Sequence, residues 1–600
     1  MCKVVLPSSP YGSDIIGPYM HTGGHYCYGR KAMVVMFNEF RGSFISKVEA
    51  QADDEHSMLF NKMNALRVGL AFSSVGTPRI TRVGRYLYDA NGKRFYIKGV
   101  AFQKDGNLLD LDRQAVNLYI YSLGEKRYVV TLNFLMLGLK INTVRVYSYD
   151  TEKDHSICMN ALEEAGIYVI ADITLPRING ASQTWDVDLL REAISQIDAL
   201  RGFPNLLAFN IGNAIINNME NLEAGPYIKA RARDVKLYLK SVNSTALVAY
   251  TSADGEKFPA DLARFLSCNF EGPSVELDLF GLNNHRWCGD SNFASSYEEL
   301  TMDFQGLTIA AFFSEFGFCS PGKPREWSEV PILFSALMSD LWSGGVAYSY
   351  YPTPKGYGLL DIKAEKKPSR NQDFKNLAQR YHHVKAPNIP KLTSLVLPKQ
   401  QCSSTNSNSF VITSVLPPQP NADACDCMDQ RALSCHIRGD ASPLVIAELL
   451  EEVCKDLGLN AGFGEGCAAI SSSGKANYGA LSACSPATKL NYAMTHRFIN
   501  SGFDPKACNF SGNATIQSQI QTKSAGEVAR ETTKCFKINA GKGISNKPTG
   551  RASKNTPVQI NTIAYQQSIS GVRVQSTAKF SEGPSIPSKS TTLPLLQETF

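Results

Sequence analysis

Val187-Asp-Leu-Leu-Arg-Glu-Ala-Ile-Ser-Gln-Ile-Asp-Ala-Leu-Arg-Gly-Phe-Pro-Asn-Leu-Leu-Ala-Phe-Asn-Ile-Gly-Asn213 is the stretch on which the fold turns. Its first half places apolar residues at 189, 190, 193, 194, 197 and 200, the 3.6-residue spacing of a helix with one buried face. Its second half, Leu206–Asn213, reads as a strand. The same alternation extends to both sides. Short β-branched or aromatic runs predict strands at Phe95–Phe102, Asn142–Ser148, Ile167–Ile173, Ala246–Ala253, Leu277–His285, Thr308–Gly317 and Gly344–Tyr351. Asp154–Ala165, Tyr227–Leu239 and Val330–Trp342 read as helices. Eight strands, mostly followed by helices, are the count of a (β/α)8 barrel. A doubly wound open sheet is the alternative, but no Gly-rich phosphate loop follows the first strand. The expected fold class is therefore α/β: a TIM-type barrel, then a small disulfide-rich, mainly helical module and a disordered tail.

The composition suits such a chain. With 43% hydrophobic and 19% charged residues it can bury a sizeable core, which excludes a wholly disordered protein, a collagen or a coiled coil. No apolar run approaches the 18 residues of a transmembrane helix. Residues 517–600 hold 11 Lys and Arg against 4 Asp and Glu, so the net charge of +6 belongs to the tail. The remainder, 50 against 51, is nearly neutral, which argues against nucleic acid as a partner. Residues 1–76 lack periodicity and are expected to form an unstructured head. The barrel is placed at 77–402, a Ser/Asn-rich linker at 403–420, the module at 421–516 and the basic tail at 517–600.

Of fifteen cysteines, seven fall at 425, 427, 435, 454, 467, 484 and 508. This density reads as a disulfide framework from an oxidising compartment. Zinc is the competing reading, but zinc pairs usually come as CxxC with histidines nearby, whereas here the first pair is Cys425-Asp-Cys427. Neither a metal nor a cofactor is expected. Sequons at Asn243, Asn509 and Asn513 fit a secreted glycoprotein. No signal peptide is readable in residues 1–30, and a misplaced start is the favoured explanation. The end, Leu593–Phe600, is too short and polar for a lipid-anchor signal.

Barrel chemistry sits at the C-terminal ends of strands. Those ends carry Gln103, Arg145, Tyr147, Asp172, Asn213, Asn283, His285, Glu315, Tyr348 and Tyr350. Amides and carboxylates hydrogen-bond hydroxyls, and aromatic rings stack on sugar faces, so this set suits a sugar polymer. Each residue also has a bland reading: Arg145 as the partner of a barrel carboxylate, Tyr147 and Tyr348 as rim packing. Glu315 lies inside the apolar run Ile309-Ala-Ala-Phe-Phe-Ser-Glu-Phe-Gly, where a carboxylate is costly unless it has a task.

Several motifs then occur in order: Thr77-Pro-Arg-Ile, Phe95-Tyr-Ile-Lys-Gly-Val-Ala-Phe-Gln, Asn142-Thr-Val-Arg-Val-Tyr-Ser, Ala208-Phe-Asn-Ile-Gly-Asn, Trp287-Cys-Gly-Asp, Phe313-Ser-Glu-Phe-Gly and Trp342-Ser-Gly-Gly. Together they resemble the fungal β-1,3-glucanosyltransferases of glycoside hydrolase family 72. The cysteine-rich stretch resembles the glucan-binding module (family 43 carbohydrate-binding, X8-type) of one branch of that family. The resemblance implies a retaining transglycosylase of the cell wall or cell surface, often lipid-anchored, with β-1,3-glucan chains as donor and acceptor. It casts Glu315 as nucleophile, and Gln103, Arg145, Tyr147, Asp172, Asn213, Asn283, His285 and Tyr348 as substrate-binding residues. It pairs Cys268 with Cys402 and Cys288 with Cys319, and leaves Cys535 as the eighth cysteine of the module.

The acid/base glutamate expected after Gly-Asn at the fourth strand is absent, because this chain reads Gly212-Asn213-Ala214-Ile215-Ile216-Asn217. Alanine can neither give nor take a proton. Asp172 and Glu220 are the nearest carboxylates in sequence, and neither is expected to substitute. His285 stands where the family usually has tyrosine and Ser349 where it usually has glutamate. Residues 104–132 do not match the family, and Cys158 lacks its family partner. Two readings follow: an impaired glucanosyltransferase, or a catalytically inactive glucan-binding wall protein that uses the cleft and module aromatics such as Tyr478, Tyr492 and Phe510. For those three rings the bland reading is core packing.

Overall fold

The computed structural model describes residues 77–103, 138–175, 184–255, 258–268, 275–318, 324–362, 369–394, 412–458, 467–473, 477–520 and 524–538. The head 1–76, the segment 104–132, Cys319, Cys402 and residues 539–600 lie outside the described residues.

Eight parallel strands close a barrel: β1 (Ile97–Ala101), β2 (Thr143–Val146), β3 (Tyr168–Asp172), β4 (Leu206–Asn213), β5 (Leu247–Ala253), β6 (Leu279–Asn283), β7 (Ala310–Phe316) and β8 (Trp342–Ala347). Each of the eight expected strands is present: Leu206–Asn213 has the expected bounds, the last strand starts two residues earlier than expected and ends sooner, and the other six are trimmed at one or both ends. β3, β7 and β8 are buried along their whole length, as parallel strands with a packed interior and a helical shell require. Ile97, Ala101, Ile170, Leu207, Ala249, Leu279, Phe312 and Val346 belong to one inner cluster, and Ile80 and Leu87 join it from a hairpin (Thr81–Val83, Tyr86–Tyr88).

Around the barrel run α1 (Ser156–Glu164), α2 (Val187–Leu200), α3 (Gly225–Ser241), α4 (Phe258–Ser267) and α5 (Gln372–His383). α2 starts where Asp186 accepts hydrogen bonds from the Asp188 and Leu189 amides, and buries Leu189, Leu190, Ala193, Ile197 and Leu200. Cys158 is buried within this shell. The helix expected at Val330–Trp342 is instead two short ones, Glu329–Leu333 and Ala336–Ser339, with Trp342 already in β8. The break falls at Ser335, whose extended backbone and side chain cap the second piece through the Leu337 amide. A run of apolar residues at helical spacing concealed that cap.

The module comprises α6 (Ala422–Arg431), α7 (Pro443–Asp456), α8 (Pro486–Asn500) and α9 (Ala525–Ile538), with a two-stranded ribbon of Cys435–Ile437 and Ala514–Ile516. Four disulfides hold it: Cys425–Cys484, Cys427–Cys535, Cys435–Cys508 and Cys454–Cys467. Cys535 is thus the eighth cysteine. Its helix, α9, lies beyond the 516 at which the module was expected to end, is bonded to α6 and buries Val528. Within the expected linker, Ile412 packs against Gly225, and the Pro417 carbonyl accepts a hydrogen bond from Arg233 at 3.0 Å. Module and barrel meet where the Val187 amide donates to the Ala483 carbonyl, and where Tyr227 hydrogen-bonds Ser472 and packs edge-on against Tyr478. Among the described residues, no helix is long and apolar enough to cross a membrane.

Candidate active site

The candidate residues converge at the C-terminal mouth of the barrel. Arg145, near the end of β2, is fully buried and grips Asp172 at the end of β3 with both arms, Nε to Oδ1 at 3.0 Å and Nη2 to Oδ2 at 2.7 Å. Its remaining nitrogen, Nη1, donates to the Ser314 carbonyl at 3.1 Å and reaches Glu315 Oε1 at 3.4 Å. Burial alone would lower the Arg145 pKa, but the Asp172 and Glu315 charges around it more than offset that, so it stays a cation. The bland reading of Arg145 is therefore correct in part, since its strongest partner is a barrel carboxylate.

Glu315, on β7, is 8% exposed. The Tyr147 hydroxyl donates to its Oε1 at 2.7 Å. Burial pushes the Glu315 carboxyl above the usual range, while Arg145 and the Tyr147 hydroxyl pull it back and Asp172 adds to the rise. Burial and the adjacent Glu315 charge keep the phenol of Tyr147 protonated, so Tyr147 serves as a donor. Gln103, two residues past the end of β1, fixes Tyr147 by accepting its backbone N–H at 2.9 Å.

Asn283, at the end of β6, pairs in register with Glu315. Its amide donates to Asn213 Oδ1 at 3.0 Å and its carbonyl accepts from Ser314 Oγ at 2.9 Å. This links the end of β7 to the end of β4. There Ala214 has φ +49°, in the left-handed region that disfavours a Cβ, and its amide donates to the Thr251 carbonyl at 2.9 Å. Two residues earlier, at Gly212, neighbours approach closely: a Cβ there would lie 2.5 Å from Ile215 Cδ1 and 3.1 Å from the Tyr250 ring, so the Ile215 side chain would have to shift. The backbone carries a strain that a methyl group does not use.

The two carboxylates nearest Ala214 in sequence are engaged or turned elsewhere, in line with the expectation that neither substitutes. Asp172 is locked on Arg145, and Glu220 lies exposed in the turn Met219–Ala224. Ser349 donates to the Tyr351 carbonyl at 2.7 Å and is buried. Tyr350, read as a strand-end candidate, is fully buried against Phe102 and Tyr351 and packs rather than faces the cleft.

On the other rim, exposed His285 lies against Phe318 with ring centres 3.9 Å apart, and Phe318 stacks on Tyr348 at 4.8 Å and 18°. Tyr357 closes this row edge-on. Sequence reasoning missed Phe318, Tyr357 and Ser314. Phe318 lies three residues beyond Glu315, and aromatic chemistry just past a strand end was the available signal. Cys268 and Cys288 are both disulfide-bonded. Of the module aromatics, Tyr478 packs on the barrel and Tyr492 is buried beside His496, so core and interface packing accounts for both. Phe510 is half-buried under Arg497.

A parallel eight-stranded barrel with a carboxylate, amides and an aromatic row at its mouth defines the class of a sugar-polymer-processing TIM barrel. The chain matches the glucanosyltransferase family, glycoside hydrolase family 72, over residues 71–385, and the X8 domain over 433–515. It is 35% identical over 459 residues to 1,3-β-glucanosyltransferase gas1 of Schizosaccharomyces pombe, covering 75% of this chain and 80% of that protein. It is 32% identical over 458 residues to 1,3-β-glucanosyltransferase GAS2 of Saccharomyces cerevisiae, covering 73% and 79%. Among solved structures, a glutamate-to-glutamine variant of Saccharomyces cerevisiae Gas2p in complex with laminaritetraose and laminaripentaose matches with a TM-score of 0.64 at 30% identity, covering 77% of this chain and 98% of that one. The chain belongs to the glucanosyltransferase family 72 of glycoside hydrolases, with an X8 module.

Proposed function

We propose that the cleft binds β-1,3-glucan and that Glu315 is the nucleophile of a retaining 1,3-β-glucanosyltransferase site whose proton transfer is disabled by Ala214. Retaining transfer needs two carboxyl groups about 5–5.5 Å apart across the scissile bond, one to attack and one to protonate the leaving oxygen and then activate the acceptor. The observation that carries the reading is a buried Glu315, braced by Tyr147 and Arg145, on the same cleft as a residue-214 methyl. Gln103, Asp172, Asn213, Asn283, His285 and Tyr348 serve the substrate directly or through these partners. Loss of a positioned acid/base lowers the rate about 10²–10⁴-fold. The likeness to cell-wall glucanosyltransferases supports a cell-surface or cell-wall setting.

The methyl group at 214 is also compatible with a second reading, a glucan-binding wall protein without turnover. Incubating the chain with laminari-oligosaccharides, measuring binding and sizing the products separates the possibilities. The proposal expects binding with trace elongation. Rapid formation of longer products would contradict the impairment, and complete absence of binding would contradict the glucan assignment.

A further inference from the structure

Three asparagines head Asn-X-Ser/Thr triplets: Asn243-Ser-Thr, Asn509-Phe-Ser and Asn513-Ala-Thr. Such a triplet takes an N-linked sugar where its amide nitrogen is open to attack and the folded chain leaves room for the sugar. The fold treats the three differently. In the module, Asn513 is half-buried and its Nδ2 donates to the Phe510 carbonyl at 3.0 Å. Asn509 is exposed, but its Oδ1 accepts the Gly512 amide at 2.9 Å. Both sit in a turn fastened at each end, by Cys435–Cys508 before it and by the pairing of Ala514–Ile516 with Cys435–Ile437 after it. Cys435 precedes both triplets, so the fastening closes on them as soon as they are made.

Asn243 is the reverse case. It is exposed, and among the described residues its side chain makes no hydrogen bond. It ends α3 at φ +54°, and the Ser244 amide closes the helix on the Leu239 carbonyl at 2.9 Å. Asparagine suits a left-handed helix end, which explains Asn243 alone and neither Ser244-Thr245 behind it nor the hollow beside it. That hollow, about 130 Å³, is lined by Arg201, Phe203, Pro204 and Leu206 together with the turn itself. The half-buried Phe203 ring offers the apolar face on which a pyranose stacks, and exposed Arg201 offers donors at its edge. The turn leads into the start of β5, so it lies at the opposite end of the barrel from Glu315. Strands β6 to β8 follow it in the chain, so the barrel has not closed when the turn emerges.

We propose that Asn243 carries an N-glycan whose first sugar rests in this hollow, and that Asn509 and Asn513 stay bare. The proposal rests on the cell-surface setting read above. In the step, Asn243 Nδ2 bonds to the anomeric carbon of an N-acetylglucosamine carried on a polyprenyl diphosphate. The bond from that carbon to the diphosphate oxygen breaks, the diphosphate leaves with the electron pair, and Nδ2 gives up one proton. The module's four disulfides form in the oxidising compartment where such donors act.

The test uses the full chain passed through a eukaryotic secretory host. Enzymatic release of N-glycans in heavy-oxygen water turns each modified asparagine into labelled aspartate, which peptide mass mapping locates. Label at Asn243 and none at Asn509 or Asn513 is expected. An unlabelled Asn243, or label at either module asparagine equal to that at Asn243, would overturn the assignment. Thiol counting on the same sample separates the two readings. Free module cysteines would overturn the cell-surface setting, whereas bonded cysteines with a bare Asn243 would overturn the glycan alone. Thr245→Ala keeps the asparagine turn but not the triplet, and should lose that one glycan and melt about 2 °C lower. Thr245→Ser should keep both, and trimming the native glycan back to its first sugar should leave melting unchanged. Equal melting of Thr245→Ala and the trimmed chain would overturn the seat in the hollow.

Discussion

The ends of β7 and β4 belong to one cleft and are opposite in kind. At β7 a costly buried charge is retained and served by four neighbours: Tyr147 and Arg145 on Glu315, Ser314 and Asn283 beside it. At β4 the costly feature is the backbone, held left-handed at Ala214 with a tight approach at Gly212, while the side chain contributes no chemistry. On the proposed reading of Ala214, a barrel keeps the scaffolding of a two-carboxylate site after one carboxylate is gone, because strand pairing and amide links hold the geometry independently of that side chain.

The largest expected effect that sharpens this contrast is at Arg145. Arg145→Met leaves Asp172 and Glu315 buried without their cation. Breaking a buried pair from one side costs about 3–5 kcal/mol, which denaturant unfolding at neutral pH would register. A loss below about 1 kcal/mol would mean that the β7 side is not organised by charge.

Next comes pH. Glu329, buried beside Arg325 and Tyr381, has its pKa pushed up by burial to about 7, against the pull of its own backbone amide, Arg325 and Arg380. Arg325 in turn holds the Gly317 and Tyr348 carbonyls at the ends of β7 and β8. Folded protein keeps the proton where unfolded chain has released it, so stability is full below pH 4.5 and is lost as pH rises to about 7. The total is roughly 3 kcal/mol. Glu329→Gln should flatten that slope and be the more stable form at pH 8; an unchanged slope would assign the effect elsewhere.

The smallest effect is at β4. Ala214→Gly relieves the left-handed backbone and should stabilise the chain by about 1 kcal/mol without altering glucan binding. Destabilisation would show that the methyl packs usefully.

The barrel was legible because parallel strands buried on both faces leave apolar runs, and because α2 kept its spacing from Val187 to Leu200. Glu315 was legible as a carboxylate in such a run, and Ala214 as a missing one. A carboxylate partner for Arg145 was legible but not which one, and the other partners were not, since Arg145 to Asp172, Tyr147 to Glu315 and Asn283 to Asn213 are contacts between strands, which only barrel closure creates. The break at Ser335 was hidden because apolar spacing continued through it. Cysteine parity pointed to Cys535, but its pairing with Cys427 depends on how α9 folds back on α6.

The central claim is that a single side chain separates this cleft from transfer of β-1,3-glucan. Replacing Ala214 by glutamate and sizing the products formed from laminari-oligosaccharides tests it most directly. The account expects elongated products at a rate about 10²–10⁴-fold above the unchanged chain, abolished again by Glu315→Gln. A folded Ala214→Glu chain that binds the oligosaccharides and still fails to lengthen them would contradict it.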